Sequence, residues 1–446
     1  MAKTYRLNPC DCLFHAFDCQ LKQHGYPGAA MFLVFDVVGP LDPDRVREGF
    51  RRAMQAHPTT MAASVISFWR AWLYWRYDGT PLPPRYRHHD LADCADWEAT
   101  VERLTQECFT SPFDPSRPPL IRLEHYEGPD NRHRLCFIFP HSWGDVEGAQ
   151  YFVAEIDRLA ADDPAPYPDY LLEDHERVDP LAEYGPLRRL RMVAQVLRAS
   201  AHQAPVHKVS LLDSLPERPV ASRRARYLRR VWTPEVMARL RDNARKITPP
   251  GPALYSRYLA GCVLRAIYRI HAEHGRTLPS YGMMFPMRLP GLGRRPIPGN
   301  YLVSATLHVS PERITDKRTV LEDVNRQLGD FHAHRVDLAS WALLWLTTKL
   351  RTGQYRKLIG MLTRMQPFAT GYSFFNHIGP PLERFVGAEV TDFWAIGVVS
   401  IPPGWNPVFV KFRDRITFLV AWPDGSFPED VVQRYADLIE EEALGE

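Results

Sequence analysis

The chain has 446 residues, enough for two or three units of ordinary domain size. Hydrophobic residues make up 45% and charged residues 24%, which is the balance of a folded globular protein and excludes a disordered one. The formal net charge of +3 is too small to indicate binding to nucleic acid.

The N-terminal segment combines a predicted helix start with closely spaced thiols. It lacks the basic and then apolar pattern of a signal peptide, and no later apolar run is long enough to cross a bilayer, so we expect a cytoplasmic protein with reduced cysteines. Asn8 followed by Pro9 predicts a helix that places Cys12, His15 and Cys19 on successive turns of one face. A zinc cluster of Cys10, Cys12 and Cys19 with His15 would need a second pair of ligands, so we interpret the cysteines as small buried thiols and expect no metal site.

The first half of the chain alternates between predicted strands and helices. Residues 31–38 form an apolar, β-branched strand, and Asp42 followed by Pro43 opens a helix that runs to about His57. The aromatic stretch 64–77 alternates near its end, which favours a pair of strands over a platform for stacking nucleic-acid bases. Further elements are predicted as a helix over 97–108, strands at 119–126 and 134–139, and a helix with a solvated basic face over 186–198.

The second half repeats this order of elements. Residues 204–225 mix proline, serine and charge without periodicity, and we interpret them as a linker between an N-terminal lobe, 1–203, and a C-terminal lobe, 226–446. The C-terminal lobe is predicted to contain strands near 226–232, 281–287, 301–309 and between 369 and 421, and helices from Thr233, over 252–271, within 318–366 and over 428–443. The similar order in both halves predicts a pseudo-duplicated α/β (α+β) protein, although no repeat is visible residue by residue.

The stretch from 134 to 160 is the most informative for function. Leu135 to Phe139 is an uninterrupted apolar run, typical of a strand buried on both faces. From Val146 onward, apolar residues follow the three-four spacing of an amphipathic helix. The turn between them, PHSWGD, therefore places His141 at the carboxyl end of a buried strand, where a polar side chain can face a cleft.

His141 has the chemistry of a general base, since an unperturbed histidine pKa near ~6.5 lets the ring accept a proton at neutral pH. Trp143 and Gly144 complete the loop, and Asp145 supports it either by capping the next helix or by pairing with an arginine. The alternative is a satisfied core histidine beside an ordinary helix cap. Spacing alone does not separate the two interpretations.

Several motifs resemble those of one enzyme superfamily. PHSWGDVEG resembles the HxxxDG signature of the chloramphenicol-acetyltransferase-like superfamily, which includes peptide-synthetase condensation domains, plant BAHD acyltransferases, and bacterial wax-ester and alcohol acyltransferases. YRLNPCDCLFHAFD resembles the opening of the bacterial members, and VVGPLDPDRVREGFRRAMQAHP resembles their first strand-to-helix segment. FTSPFDPSRPPLIRLEHY is similar to the strand before the active-site hairpin, and YSFFNHIGP to a late strand motif. The landmarks follow the family's order across nearly the whole chain.

The resemblance implies both an architecture and a reaction. It implies two chloramphenicol-acetyltransferase-like lobes with mixed sheets that meet at a central tunnel. It also implies an acyltransferase that moves an acyl group from a thioester to a hydroxyl or amine of a small-molecule, natural-product acceptor, with His141 as general base. No cofactor is expected, because acyl-CoA or an acyl-phosphopantetheine serves as co-substrate, the latter on an acyl or peptidyl carrier protein.

The resemblance also suggests residues around the base. Ser373 and Asn376, in the late strand motif, are candidates for contact with the oxyanion or the acceptor; alternatively, they pair with strand backbone. Arg288 is the expected partner of Asp145, or else a surface arginine that ends a strand. Coenzyme A is favoured as donor, and its phosphates could meet a set of basic residues that are alternatively solvated strand-end charges: Arg223, Arg224, Arg226, Arg229 and Arg230.

Two residues depart from the family pattern. Pro140 stands where condensation domains carry a second histidine, which argues against peptide-bond condensation. Val146 stands where a glycine normally follows the aspartate, with Gly148 two residues on. The plant DFGWG signature is absent, and the sequence from Thr391 to Trp394 is only loosely similar to it. Two alternatives therefore stay open: a free-standing condensation enzyme that takes acyl groups from a carrier protein to form amides, and a non-catalytic binding module.

Overall fold

The computed structural model describes most of the chain. The described residues are 2–23, 25–66, 73–110, 113–172, 178–203, 224–290, 292–364, 368–378, 382–399 and 404–445. Nearly all of the predicted linker, and Arg223 of the basic set, lie outside these ranges. No helix within them combines the length and the apolar character that crossing a bilayer requires.

The first half alternates between strands and helices, as predicted. Its elements are β1 (Lys3–Arg6), α1 (Pro9–Gln23), β2 (Ala30–Val38), α2 (Pro43–Ala56), β3 (Ala63–Ile66), β4 (Leu73–Tyr77), β5 (Arg85–Asp90), α3 (Trp97–Thr110), β6 (Arg122–Glu127), β7 (Arg132–Pro140), α4 (Val146–Ala160), β8 (Leu171–Leu172) and α5 (Pro186–Gln203). Asp42 caps α2 by accepting a hydrogen bond from the backbone N–H of Asp44 at 2.9 Å. The predicted strand pair within 64–77 is confirmed as β3 and β4, which run antiparallel.

The second half contains the other elements. They are β9 (Ala225–Trp232), α6 (Pro234–Ile247), α7 (Leu254–Glu273), β10 (Tyr281–Arg288), β11 (Arg295–Pro296), β12 (Leu302–Val309), α8 (Lys317–Ala333), α9 (Val336–Thr347), α10 (Thr352–Arg364), β13 (Ser373–Asn376), β14 (Arg384–Phe385), β15 (Ala388–Ile396), β16 (Asn406–Phe412), β17 (Arg415–Pro423) and α11 (Glu429–Leu444). The mixed α/β class is confirmed.

The largest sheet places β7 in its middle. The order of this six-stranded sheet is β14-β15-β2-β7-β6-β5, and β7 pairs antiparallel with both β2 and β6. Because both edges of β7 are paired and both faces are covered, the run from Leu135 to Phe139 is buried. A four-stranded sheet, β13-β16-β17-β9, and the antiparallel pair β10-β12 belong to the second half.

The predicted division into lobes needs a correction. β14 and β15 come from the second half of the chain, but they extend the sheet of the first half. β15 runs antiparallel to β2, from the pair Glu389 and Val38 to the pair Ile396 and Phe32. Residues 384–396 therefore belong structurally to the first lobe, although we assigned the whole of 226–446 to the second. Their burial explains the crossover, since Phe393 and Trp394 are fully enclosed.

The thiols of α1 differ in exposure. Cys10 and Cys12 are buried, as predicted for small core residues. Cys19 is half-buried, and its Sγ lies 3.7 Å from Nε2 of His15. Cys12 belongs to one core cluster and Cys10 to the other, so helix α1 packs against both.

Candidate active site

A short loop between β7 and α4 carries His141. Strand β7 ends at Pro140, and α4 begins at Val146. Asp145 is the N-cap of α4, and its carboxylate accepts a hydrogen bond from the backbone N–H of Gly148 at 2.9 Å. The cap satisfies one of the N–H groups that a helix start leaves free, so the loop has a defined end.

The backbone and ring of His141 are held at several points. Its N–H donates to the carbonyl of Ala29 at 2.8 Å, and its carbonyl accepts from Nδ2 of Asn300 at 2.6 Å. Nδ1 lies 3.3 Å from the carbonyl oxygen of Gly144. A carbonyl can only accept, so Nδ1 carries the proton of the neutral ring and Nε2 keeps its lone pair. This is the tautomer in which Nε2 can act as a base.

Phe14 covers one face of the imidazole. The two rings stack with their centroids 3.5 Å apart and their planes 16° from parallel. His141 is only 9% exposed, and this burial lowers the pKa of the ring to about 4. The imidazole is therefore uncharged at neutral pH, as a proton acceptor must be.

Arg295, and not Arg288, is the ionic partner of Asp145. The guanidinium of Arg295 contacts the carboxylate directly, and both side chains are buried. Burial alone would raise the pKa of Asp145, but Arg295 and the N–H of Gly148 outweigh it and hold the pKa below its ordinary value. Arg288 instead lies half-exposed at the end of β10, 3.3 Å from Glu147. The prediction of Arg288 was wrong because the loop before β12 brings Arg295 closer to the cap.

The segment 295–301 holds the histidine loop in place through hydrogen bonds. Gly299 donates its N–H to the carbonyl of Trp143 at 2.6 Å. Asn300 donates through Nδ2 to the carboxylate of Asp11 at 2.9 Å as well as to His141. A Cβ on Gly148 would lie 2.2 Å from the carbonyl oxygen of Ile297, so only glycine fits there. Sequence patterns did not predict a role for Asn300, which lies in an irregular segment, or for Asp11, which lies on helix α1.

Trp143 anchors the loop in the core. Its indole is fully buried, and Nε1 donates to Oγ1 of Thr59 at 3.3 Å. The ring packs edge-to-face against Phe139 and Phe152. Trp143 therefore stabilises the loop conformation, while Gly144 supplies the carbonyl that orients the imidazole.

A cavity of about 830 Å³ opens beside the N-terminal end of α4. Asp145, Val146 and Asn376 line it, whereas His141 and Ser373 are not among its lining residues. Gln150 ties α4 to the strand motif of the second half: Nε2 donates to the carbonyl of Asn376 at 3.3 Å, and Oε1 accepts from the N–H of Ile378 at 3.0 Å. Of the sequence-predicted residues, Asp145, Arg288 and Asn376 line the cavity, whereas Ser373 lies on β13 outside its wall.

The arginines of the basic set that lie on β9 form ion pairs with carboxylates. Arg226 lies 3.1 Å from Glu429, and Arg229 lies 3.6 Å from Asp392. Arg230 pairs with two acidic residues of α11, Asp437 and Glu440, at 2.6 and 2.5 Å. These contacts favour the interpretation of strand-end charges over that of a phosphate site.

Comparison with known proteins gives no match to a family model and no match to a curated sequence. Solved structures do match over nearly the whole chain. A variant of the starter condensation domain of rhizomide synthetase in complex with C8-CoA has a TM-score of 0.71 and 13% identity, covering 99% of this chain and 95% of its own. The first condensation domain of the calcium-dependent antibiotic synthetase, with a substrate analogue, has a TM-score of 0.69 and 16% identity, covering 99% and 97%. The chain has the condensation-domain fold.

The condensation domain of the Monacolin K polyketide synthase supports the same assignment. It has a TM-score of 0.67 and 12% identity, covering 99% of this chain and 97% of its own. The expected two-lobed, mixed α/β fold is thereby confirmed. At these identities the condensation-domain fold is what the proteins share, so the roles of single residues rest on the geometry of the loop and cavity.

Proposed function

We propose that this protein is an acyltransferase that moves an acyl group from a thioester to a hydroxyl or amine of a small-molecule, natural-product acceptor. The observation that carries the proposal is the orientation of His141, whose Nδ1 is bound to the carbonyl of Gly144 while Nε2 keeps its lone pair. The condensation-domain fold supports it, because one of the matching structures is a complex with C8-CoA.

The proposed reaction needs one base and no covalent enzyme intermediate. Nε2 of His141 takes the proton of the acceptor as its oxygen or nitrogen attacks the thioester carbonyl. The carbon–sulfur bond then breaks, and the leaving thiolate takes the proton back from the imidazolium. The products are an ester or amide and a free thiol, and His141 returns to its neutral form.

Other residues of the loop position the base. Asn300 fixes the carbonyl of His141, and the pair of Asp145 and Arg295 fixes the start of α4. Asn376 lines the neighbouring cavity and is our candidate for contact with the acceptor or the oxyanion. Ser373 keeps the same candidate role as a prediction.

A second candidate is a non-catalytic binding module, and one observation favours it. Phe14 stacks on His141, and the described wall of the cavity does not include the imidazole. Catalysis therefore requires the cavity wall to rearrange, or substrate to approach Nε2 along another path. A binding module requires neither.

His141→Ala tests the proposal. Loss of a general base typically lowers the rate by about 10²–10⁴, so we expect thioester consumption with a responsive acceptor to fall by that factor while the melting temperature changes little. His334→Ala is the matched control, because His334 is exposed at the C-cap of α8 and its ring contacts only the backbone carbonyl of Asp330. Full activity in His141→Ala would refute the proposed base, and inactivity of the wild-type protein with every donor would favour the binding module.

The choice of donor separates acyl transfer from carrier-dependent condensation. Steady-state rates are compared with the same acyl group on coenzyme A and on a carrier protein. We expect coenzyme A to serve as donor, since Pro140 replaces the histidine that precedes the base in condensation domains. If only the carrier-bound form reacts and the product is an amide, the free-standing condensation enzyme replaces our proposal.

A further inference from the structure

The cavity beside the histidine loop carries one positive charge that no described carboxylate balances. Two acidic residues and three arginines line it. Arg295 pairs with Asp145, and Glu147 lies 3.3 Å from Arg288 and 3.4 Å from Arg295. The two acids are thus shared between two arginines. Arg257 is left over.

Arg257 lies in the first turn of α7 and is half-buried. Among the described residues, none forms an ion pair or a side-chain hydrogen bond with its guanidinium. The positive end of the dipole of α7 lies on the same side of the cavity, because Pro252, Ala253 and Ser256 also line it. A partly desolvated guanidinium gains most from an anion that offers two oxygens in one plane.

The rest of the cavity wall includes several aromatic side chains. Phe285 and Tyr372 stack with their ring centroids 5.4 Å apart, and Phe374 and Phe375 continue the same surface. A volume of about 830 Å³ lies in the range of pockets that enclose a small organic ligand. The chemistry of the wall therefore suits an apolar body with a single anionic group.

We propose that this cavity binds the acceptor, and that the acceptor is a small molecule with an apolar body and one carboxylate that pairs with Arg257. The role as acceptor rests on the proposed acyl transfer, whereas the binding of the anion does not. A carboxylate matches the single uncompensated charge. The nucleotide of coenzyme A carries several phosphates and would leave most of their charge unpaired here.

Binding of paired probes tests the assignment without turnover. Phenylpropionate and phenylpropionamide share an apolar body and differ in charge, and titration calorimetry measures the affinity of each. We expect the wild-type protein to bind the acid about 10-fold to 100-fold more tightly, as for one charge-assisted pair. Arg257→Gln should abolish this preference. Arg241→Gln should keep it, because Arg241 is exposed on α6 and does not line the cavity.

Two further measurements determine which substrate carries the anion and whether its binding depends on His141. Phosphopantetheine and pantetheine form a second pair that differs by one phosphate. If the protein prefers phosphopantetheine over pantetheine but does not prefer the acid over the amide, the anion belongs to the donor. That result would overturn the assignment to the acceptor. Equal binding of acid and amide, no binding of the acid, or a preference that survives Arg257→Gln would overturn the site itself. His141→Ala should retain the preference, so failure of the proposed base and failure of this site are distinguishable.

Discussion

Burial has two opposite effects on His141. It keeps the imidazole uncharged, which is the form that accepts a proton, and it lowers the pKa to about 4, which weakens the ring as a base. In the proposed reaction, the acceptor hydroxyl or amine meets the ring in the same desolvated surroundings. Phe14 covers one face of the ring and is part of this environment.

Removal of the Phe14 ring should restore an ordinary histidine titration. In Phe14→Ala we expect the pKa of His141 to rise from about 4 toward its usual value near 6.5, because water reaches the imidazole and stabilises its charged form. The titration is followed by NMR on the histidine ring protons. Phe17→Ala, one turn further along α1, is the control and should leave the pKa low. An unchanged titration in Phe14→Ala would show that other groups desolvate the ring.

Asp145→Asn should destabilise the protein more than a lost helix cap explains. Asparagine still caps a helix, but it leaves the buried guanidinium of Arg295 without its closest counter-charge, a change that costs up to about 3–5 kcal/mol. Denaturant unfolding measures the free energy. Addition of Arg295→Met to this variant should recover part of the loss. Wild-type stability combined with lost activity would instead make Asp145 a direct participant in the reaction.

At the scale of elements, α4 depends on its close approach to the segment 295–301. Gly148→Ala should destabilise the protein by about 1–3 kcal/mol, since the new methyl group would lie 2.2 Å from the carbonyl oxygen of Ile297. Gly329→Ala in α8 is the matched control. Nothing lies within 4 Å of the added carbon there, so alanine should stabilise the helix by up to about 1 kcal/mol. Thermal melts that rank the two variants in the opposite order would contradict the packing described.

The sequence predicted those elements whose pattern is local. The apolar run of β7 and the periodicity of α4 were enough to place His141, and Asp42 with Pro43 was enough to begin α2. β5 was missed because its polar residues lie at the edge of the sheet, where alternation is not required. Arg295 and Asn300 were missed for a different reason. Their importance comes from contacts with residues about 150 or more positions away, which no local pattern records.

At the scale of the whole molecule, charged groups surround Trp394, where the two halves of the chain meet. Arg134 of β7 binds Asp36 through two nitrogens, at 2.6 and 3.0 Å, and lies 3.0 Å from Glu102. Arg229 of β9 lies 3.6 Å from Asp392 of β15. Both guanidiniums lie over the ring of Trp394. The junction therefore combines several charged groups, and one of them is the half-buried carboxyl of Asp392, whose protonation depends on pH.

Asp392 should make stability fall as pH rises. Burial, with the nearby charge of Asp36, raises the pKa of this carboxyl from 3.8 to about 6. The folded state therefore holds a proton that the unfolded state has released, and this contribution is fully present below about pH 4 and is lost as pH rises through about 6. In Asp392→Asn we expect a gain of up to about 3 kcal/mol at pH 8 and a weaker pH dependence.

Unfolding in denaturant at pH 5 and pH 8 checks this prediction. Asp162→Asn, at an exposed position after α4, is the control and should keep the wild-type dependence. If Asp392→Asn keeps the wild-type pH dependence of stability, other groups of the junction control that dependence.

The crossover of β15 has a consequence for synthesis of the chain. Strands β2 and β7 can pair once Pro140 has left the ribosome, but the partner on the other edge of β2 is not complete until Ile396 has followed. At about 5–20 residues per second, this interval lasts roughly 10–50 s. Throughout it, β2 presents a row of unpaired backbone donors and acceptors to any neighbouring nascent chain. Chaperone demand and losses to aggregation should therefore depend on translation speed between codons 140 and 396, more than on the stability of the finished fold.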